Sequence, residues 1–285
     1  MKGLYDIERE IGATETIVDL SSAFEGIASL KIAKIKDQVL QSTSFFDDLW
    51  SIYEQLRVDK LFRFGRQQGD VITDKDLYIV ITAEGGFSGD IDQKLIKWML
   101  EGFDKDKHDI VVIGHHGAIQ LAQKGISYKK YFKLPEKDQN INVAPIIKIV
   151  QEYNSKSVFY QQYISLMVQD VKRIELSSAV AELGKHAEES EEVISEKNYI
   201  FEPSTYAVVS YLERSMLTIT LSQLILDSKL AQYASRFRAM SASHTAADES
   251  LDKLTLKYNR TKRSIKDERL KEIINGLRKA GGAKV

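Results

Sequence analysis

Toward the C-terminal end of the chain, a line of mostly apolar positions recurs at spacings that alternate three and four: Phe237, Met240, His244, Ala247, Leu251, Leu254, Tyr258, Thr261 and Ile265. This is the repeat by which one helix presents a seam to another. Pro203 is the last proline and Gly276 the first glycine after Gly184, so nothing between them stops a helix. At about 1.5 Å per residue, a helix of about 70 residues reaches roughly 105 Å, well beyond the diameter of a small domain. A lone surface helix of that length is foreign to ordinary globular domains, so the pattern predicts a partner along the helix. Leu4 to Leu61 supplies one. There the seam Ala28, Ile32, Ile35, Val39, Ser42, Phe46, Leu49, Tyr53 and Leu56 alternates four and three. Ile7, Ile11, Thr14 and Val18 extend it upstream, with Glu25 as an interruption. If the chain turns back through a domain between them, the two helices pair antiparallel.

The stretch between the seams has a different rhythm. Leu77–Thr82 and Asp109–Gly114 are short apolar runs of β-branched type and predict buried strands. Asp90–Gly102, Ala118–Lys124 and Ile141–Tyr153 have helical spacing, and Tyr131–Phe132 is strand-like. Ser157–Val168 and Val171–Ser178 alternate polar and apolar residues and predict a strand pair. Asp70–Asp76 reads as a turn and Glu188–Glu192 as a solvated acidic loop. Strands alternating with helices predict a partly parallel sheet with crossover helices. The expected fold class is α+β: a long antiparallel coiled coil of the N- and C-terminal helices with a Rossmann-like α/β domain inserted between them. The expected boundaries are 1–65, 66–202 and 203–285.

Composition narrows the functions open to such a chain. The formal net charge of −1 over 285 residues gives no general attraction to nucleic acid or an anionic membrane. The absence of cysteine removes disulfides, thiolate metal sites and cysteine nucleophiles. No apolar run approaches membrane-spanning length, and the acidic N-terminal helix (Asp6, Glu8, Glu10) is unlike a targeting peptide. Charge is uneven, however. From Lys257 to Val285 roughly ten basic residues face three acidic ones. This is either a solubilising tail or a helix tip that sits among acidic groups of another protein. No aromatic series accompanies it that would stack on nucleic-acid bases.

Two local motifs invite chemistry. Glu84-Gly85-Gly86-Phe87-Ser88-Gly89 lies between a strand and a helix, where glycine loops cradle phosphates. It lacks the Gly-Lys-Ser/Thr ending of a P-loop and the G-x-G-x-x-G spacing, and a tight turn packed on another element accounts for it as well. His115-His116 follows the second strand, but no acidic or cysteine cluster is spaced to share a metal with it. No catalytic arrangement, cofactor site or metal site stands out.

These residues resemble a known family, the γ subunit of the rotary (F-type) ATP synthase, over essentially the whole chain. Tyr199-Ile-Phe-Glu-Pro203 is similar to the family's aromatic-x-aromatic-Glu-Pro lead into its long helix. Ser222–Glu249, with Arg236, Arg238, Ala239, Met240, Ala242 and Ala246, resembles its Ala-Arg-Met-x-Ala-Met and Asn-Ala-Thr frame. Leu256-Lys-Tyr-Asn259, Glu272-Ile-Ile-Asn-Gly276, Ala23–Lys31 and Thr82–Gly89 fall in order at the expected distances. The chain departs from the family at Gly26, at Lys262-Arg263 and at Lys266-Asp-Glu-Arg269.

The resemblance implies a non-catalytic central-stalk shaft. It would couple ion-driven rotation of a membrane ring, and so proton transport, to the conformational cycle of a catalytic α/β hexamer. The partners it implies are the α and β subunits, the ε subunit and the c-subunit ring. The place it implies is the cytoplasmic side of a bacterial cell membrane, peripheral and without direct insertion. It places Lys262, Arg263, Lys266 and Arg269 at the hexamer contact, and Tyr199 and Glu202 at the ring contact. It implies no cofactor. Three other readings stay open: the shaft of a specialised rotary ATPase, a coiled-coil scaffold without a motor, and an enzyme using the α/β domain.

Overall fold

The computed structural model describes residues 3–55, 73–135, 141–184 and 202–281. Two long helices flank the chain, α1 (Leu4–Gln55, 52 residues) and α6 (Thr205–Gly281, 77 residues). Gly12, Gly26 and Gly276 all lie inside helix and are exposed. An interior glycine weakens a helix by only about 1 kcal/mol, which neighbouring turns tolerate. Between the helices come β1 (Asp76–Ile81), α2 (Ile91–Glu101), β2 (His108–Ile113), α3 (His115–Gln123), β3 (Lys130–Phe132), α4 (Ala144–Val150), β4 (Lys156–Tyr163), β5 (Gln169–Glu175) and α5 (Leu176–Gly184).

The strands form one sheet in the order β3-β2-β1-β4-β5, parallel except for β5, which is antiparallel to β4. Alternation along each strand divides the core. Tyr78, Val80, Ile110, Val112 and Phe159 face α2 and α3. Leu77, Ile79, Ile81, Val111, Ile113 and Val158 face the other way, toward α4, α5 and the two long helices. This double-sided burial is why β1 and β2 read as unbroken apolar runs rather than alternating ones.

Three sequence expectations change. The helix expected over Ile141–Tyr153 is only Ala144–Val150, since proline belongs in a first turn and Pro145 holds that place. The strand expected to run to Val168 ends at Tyr163, and Ile164, Met167 and Val168 form an exposed apolar hairpin tip. The strand expected to run to Ser178 gives way at Leu176 to α5, where Leu176, Ala179 and Val180 are buried at helical spacing. The acidic loop Glu188–Glu192 lies outside the described residues, as do Leu56 and residues 70–72 of the Asp70–Asp76 turn.

The described chain forms two units. The larger one, Ala28–Phe237, holds the sheet with the adjoining parts of α1 and α6. Within it the two helices run antiparallel. Ile32 and Ile35 pack with Leu226, Leu230 and Ala234. Further along α1, Gln223 Nε2 donates to Thr43 Oγ1 at 3.1 Å, and Phe46 joins Met216, Leu217 and Leu221. Burial, and after it the Glu213 carboxylate, push the Tyr53 hydroxyl pKa up, which places Tyr53 beside Glu213.

The smaller unit consists of α1 up to Ile27 and α6 from Arg238 onward. Each helix shows one covered stripe. From Ala242 to Arg278 the covered residues are His244, Ala247, Leu251, Leu254, Tyr258, Thr261 and Ile265, the seam expected from the repeat. On α1, Ile7 and Ser21 are buried and Ile11, Thr14, Val18 and Glu25 half-buried. Glu25 is therefore no interruption. With Ser21 counted, the alternation of four and three runs unbroken from Ile7 to Tyr53.

Candidate functional site

In an open parallel sheet, ligands bind beyond the carboxyl ends of the strands, where neighbouring connections diverge to opposite sides. Here that place lies after β1, between β2 and β4, and the Glu84–Gly89 loop stands over it. The chain fills it with its own helix. Arg236 donates to the carbonyl of Gly86 through Nε (3.1 Å) and to that of Gly85 through a terminal guanidinium nitrogen (3.3 Å). Ser235 Oγ donates to the Ser88 carbonyl at 2.7 Å. A phosphate cradle turns N–H groups toward the ligand, whereas this loop offers carbonyl oxygens to a cation. Its backbone is bent for the purpose. Gly89 has φ +65, with Ser235 Oγ at 3.4 Å from where a Cβ would stand, and the exposed Phe87 has φ 68.

Beneath the loop a polar chain leads from the sheet to α6. Asp92, in the first turn of α2, is buried and accepts from the Ala83 N–H, from Gln161 Nε2 (2.6 Å) and from His116 Nδ1 (3.0 Å). A carboxylate thus occupies the helix N-terminus where an anion would otherwise be favoured. Gln161 Oε1 in turn accepts from Ser228 Oγ and from Gln232 Nε2 on α6. The hydrogen bond to Asp92 holds the His116 imidazolium and outweighs burial, so the His116 pKa lies above its ordinary value. His116 is thus tied to a structural carboxylate, and no group of three or more potential metal ligands occurs among the described residues.

Glu84 fastens the same corner. Its carboxylate accepts from the N–H groups of His115 (3.2 Å) and Leu134 (3.1 Å) and from the Tyr131 hydroxyl (3.2 Å). Burial first and Glu84 second raise the Tyr131 pKa. Gly114 must be glycine, because a Cβ there would stand 2.0 Å from the Thr82 carbonyl oxygen at φ +100.

In the other unit, Lys262, Arg263, Lys266 and Arg269 are all exposed, and Lys262 Nζ lies 5.5 Å from the Tyr258 ring centroid. Residues 262, 266 and 269, spaced by four and three, share one helix face. Beyond Ile265 every residue through Arg278 is exposed, including Leu270, Ile273, Ile274 and Leu277, which form an apolar stripe at helical spacing. The sequence reading singled out the basic positions and passed over this stripe. Its signal was the i, i+3, i+4, i+7 spacing. Glu202, just ahead of α6, is exposed, and Tyr199 lies outside the described residues. No described helix is long and apolar enough to cross a membrane.

Two long helices flank an α/β domain whose binding crevice is closed by the chain's own helix. A family model described as ATP synthase matches residues 3–278, and the chain belongs to that family. Curated relatives carry the name ATP synthase gamma chain. The protein from Clostridium novyi is 26% identical over 96% of this chain and 97% of its own length. One from Acetobacterium woodii, named as sodium ion specific, is 22% identical over 96% and 98%. The fold matches a chain in the mitochondrial ATP synthase of Euglena gracilis, in an assembly of OSCP, F1 and c-ring (TM-score 0.68, 15% identity, 99% of this chain and 96% of that one). It also matches a chain in the central stalk and c-ring of the Tetrahymena thermophila enzyme (TM-score 0.55, 16% identity, 78% and 98%).

Proposed function

We infer that the chain is the central-stalk rotor shaft, the γ subunit, of an F-type ATP synthase. It carries no catalytic site of its own. It couples ion-driven rotation of the c-subunit ring to the conformational cycle of the α/β hexamer. The observation that carries this reading is the division of labour along α6. Residues 228–236 are held by the α/β domain, the seam is covered as far as Ile265, and the remainder is left uncovered with cations and an apolar stripe. A shaft needs such a division: a part fixed to its base, a part stiffened by pairing, and a tip whose contacts are made with other subunits. Because the chain is asymmetric, each catalytic subunit meets a different side of it. Turning it biases each site in sequence, as any differential contact shifts a conformational equilibrium.

On this reading the cations Lys262, Arg263, Lys266 and Arg269 meet acidic groups of the β subunits. Tyr199 and Glu202 meet the membrane ring, with ε bound near the α/β domain. The complex is peripheral to the cytoplasmic side of a bacterial cell membrane and passes protons through the ring. The test is co-purification on a tagged chain. The account expects α, β, ε and c-ring subunits with a single copy of this chain per hexamer. Recovery of the chain without an ATPase hexamer contradicts it.

A further inference from the structure

Within the larger unit, on the side of the sheet that faces the long helices, a cavity of about 260 Å³ opens between α1, β4, β5, α5 and α6. One stripe of α6 lines it, with Thr220, Gln223, Leu224 and Asp227 at the i, i+3, i+4, i+7 spacing of one helix face. Two of these side chains each carry a buried polar atom without a partner. Thr220 Oγ1 and Gln223 Oε1 make no hydrogen bond, although both residues are more than nine-tenths buried. Thr220 is unlike its neighbours. Thr218, Ser222 and Thr245 give their hydroxyls to the carbonyl four residues back, and Thr220 does not. Gln223 is held by its amide nitrogen on Thr43, which leaves its carbonyl oxygen unused.

Opposite charges also line this cavity. Among the described residues Asp227 accepts the Tyr163 N–H alone, at a long 3.3 Å, and Lys172 on β5, which lines the same cavity, acts on it through its charge without a direct ion pair. An unpaired buried acceptor and a separated carboxylate and ammonium are each costly unless something completes them. Val39, Ile174 and Leu224 supply an apolar wall. The volume lies just below the usual range for drug-sized ligands, which begins at about 300 Å³.

We propose that this cavity binds a small zwitterion of amino-acid size. Its ammonium faces Asp227 and Gln223 Oε1, its carboxylate faces Lys172, the Thr220 hydroxyl bonds to either end, and its side chain lies on the apolar wall. Such a ligand completes every unmet group at once. It also bridges the sheet to both long helices, so its binding stiffens that joint.

Lys172 from β5 and Tyr160 from β4 line the cavity with Asp227, and Tyr163 from β4 gives Asp227 its backbone N–H; Lys36 from α1 lies over the Tyr163 ring, its Nζ 5.2 Å from the centroid. The Asp227 carboxyl titrates at about 6, raised chiefly by burial. Zwitterion binding therefore weakens as pH falls through that value.

The test is calorimetric titration of the assembled complex with L-valine and L-glutamine, with valinamide and isovalerate as controls that each lack one charge. The expected result is binding of at least one amino acid at millimolar concentration and of neither control. Asp227→Asn and Lys172→Gln should each weaken it about tenfold or more, and lowering the pH from about 8 to about 5 should do the same. If neither amino acid binds at about 10 mM, the cavity holds only water. If binding survives both substitutions, the contact is an adventitious additive only. Either result overturns the proposal.

Discussion

At the scale of single residues, the chemistry is a matter of which polar group each buried atom meets. Asp227 is the clearest case for stability. Burial raises its pKa from 3.8 to about 6, against the Tyr163 N–H and Lys172, which pull it down. A group whose pKa is raised on folding favours the folded state most fully below its unfolded pKa, and that contribution fades as pH rises through the folded value. The Asp227→Asn protein should therefore be more stable than the parent at pH 8, by up to about 3 kcal/mol. The gain should disappear near pH 4, as followed by chemical denaturation. Arg236 and Ser88 separate a structural loop from a chemical one. Removing the Arg236 guanidinium (Arg236→Ala) leaves two exposed carbonyls to water and should cost about 1 kcal/mol. Ser88→Ala should leave ATPase activity of the complex within a few-fold, because Ser88 contributes its carbonyl and not its hydroxyl to Ser235. Loss of activity with assembly intact would give this loop a chemical role. The glycine loop was legible in the sequence but its occupant was not, since Arg236 lies 150 residues from Gly86. No local pattern announces a contact at that separation.

At the scale of elements, the heptad seam was the most legible feature, because a helix pair buries one narrow stripe and little else competes to explain the spacing. From Ala242 onward, the covered residues of α6 are those that the repeat names. Ser21 was missed because a small polar residue carries no apolar signal even where a seam position is buried. The α5 helix was missed because Val171–Ser178 alternates like a strand up to the point where Leu176 begins a turn. Antiparallel contacts in the larger unit also set a register, with Thr43 opposite Gln223. Carried along the alternating seam, it pairs Ile7 with Tyr258, Ile11 with Leu254, Thr14 with Leu251 and Val18 with Ala247. Cysteines placed at Ile11 and Leu254 should then oxidise to a disulfide. Cysteines at Ile11 and Thr261 should not, since two turns of helix, about 11 Å, exceed disulfide reach. Cross-linking of the second pair alone would break the register.

At the scale of the whole molecule, a near-neutral chain concentrates its cations at one helix end. If Lys266 and Arg269 slide past acidic loops of successive β subunits, each contact is worth roughly 0–1 kcal/mol and is screened over about 8 Å at physiological salt. The double reversal Lys266→Glu with Arg269→Glu should lower hydrolysis or coupling without unfolding the chain, and the defect should change with ionic strength. Normal turnover at low salt would make this face a solvated surface only. The rotor role was legible because order and spacing of weak motifs persist along nearly the entire chain. The contacts that perform the role were not, because their other halves belong to other chains. The most direct test of that role is to fix the purified hexamer to a surface, attach a probe to the α/β domain through a cysteine at exposed Lys97, and add ATP. The account predicts that the probe turns continuously in one direction, in three steps or a multiple of three per turn. A probe that stays still while the same complexes hydrolyse ATP would contradict it.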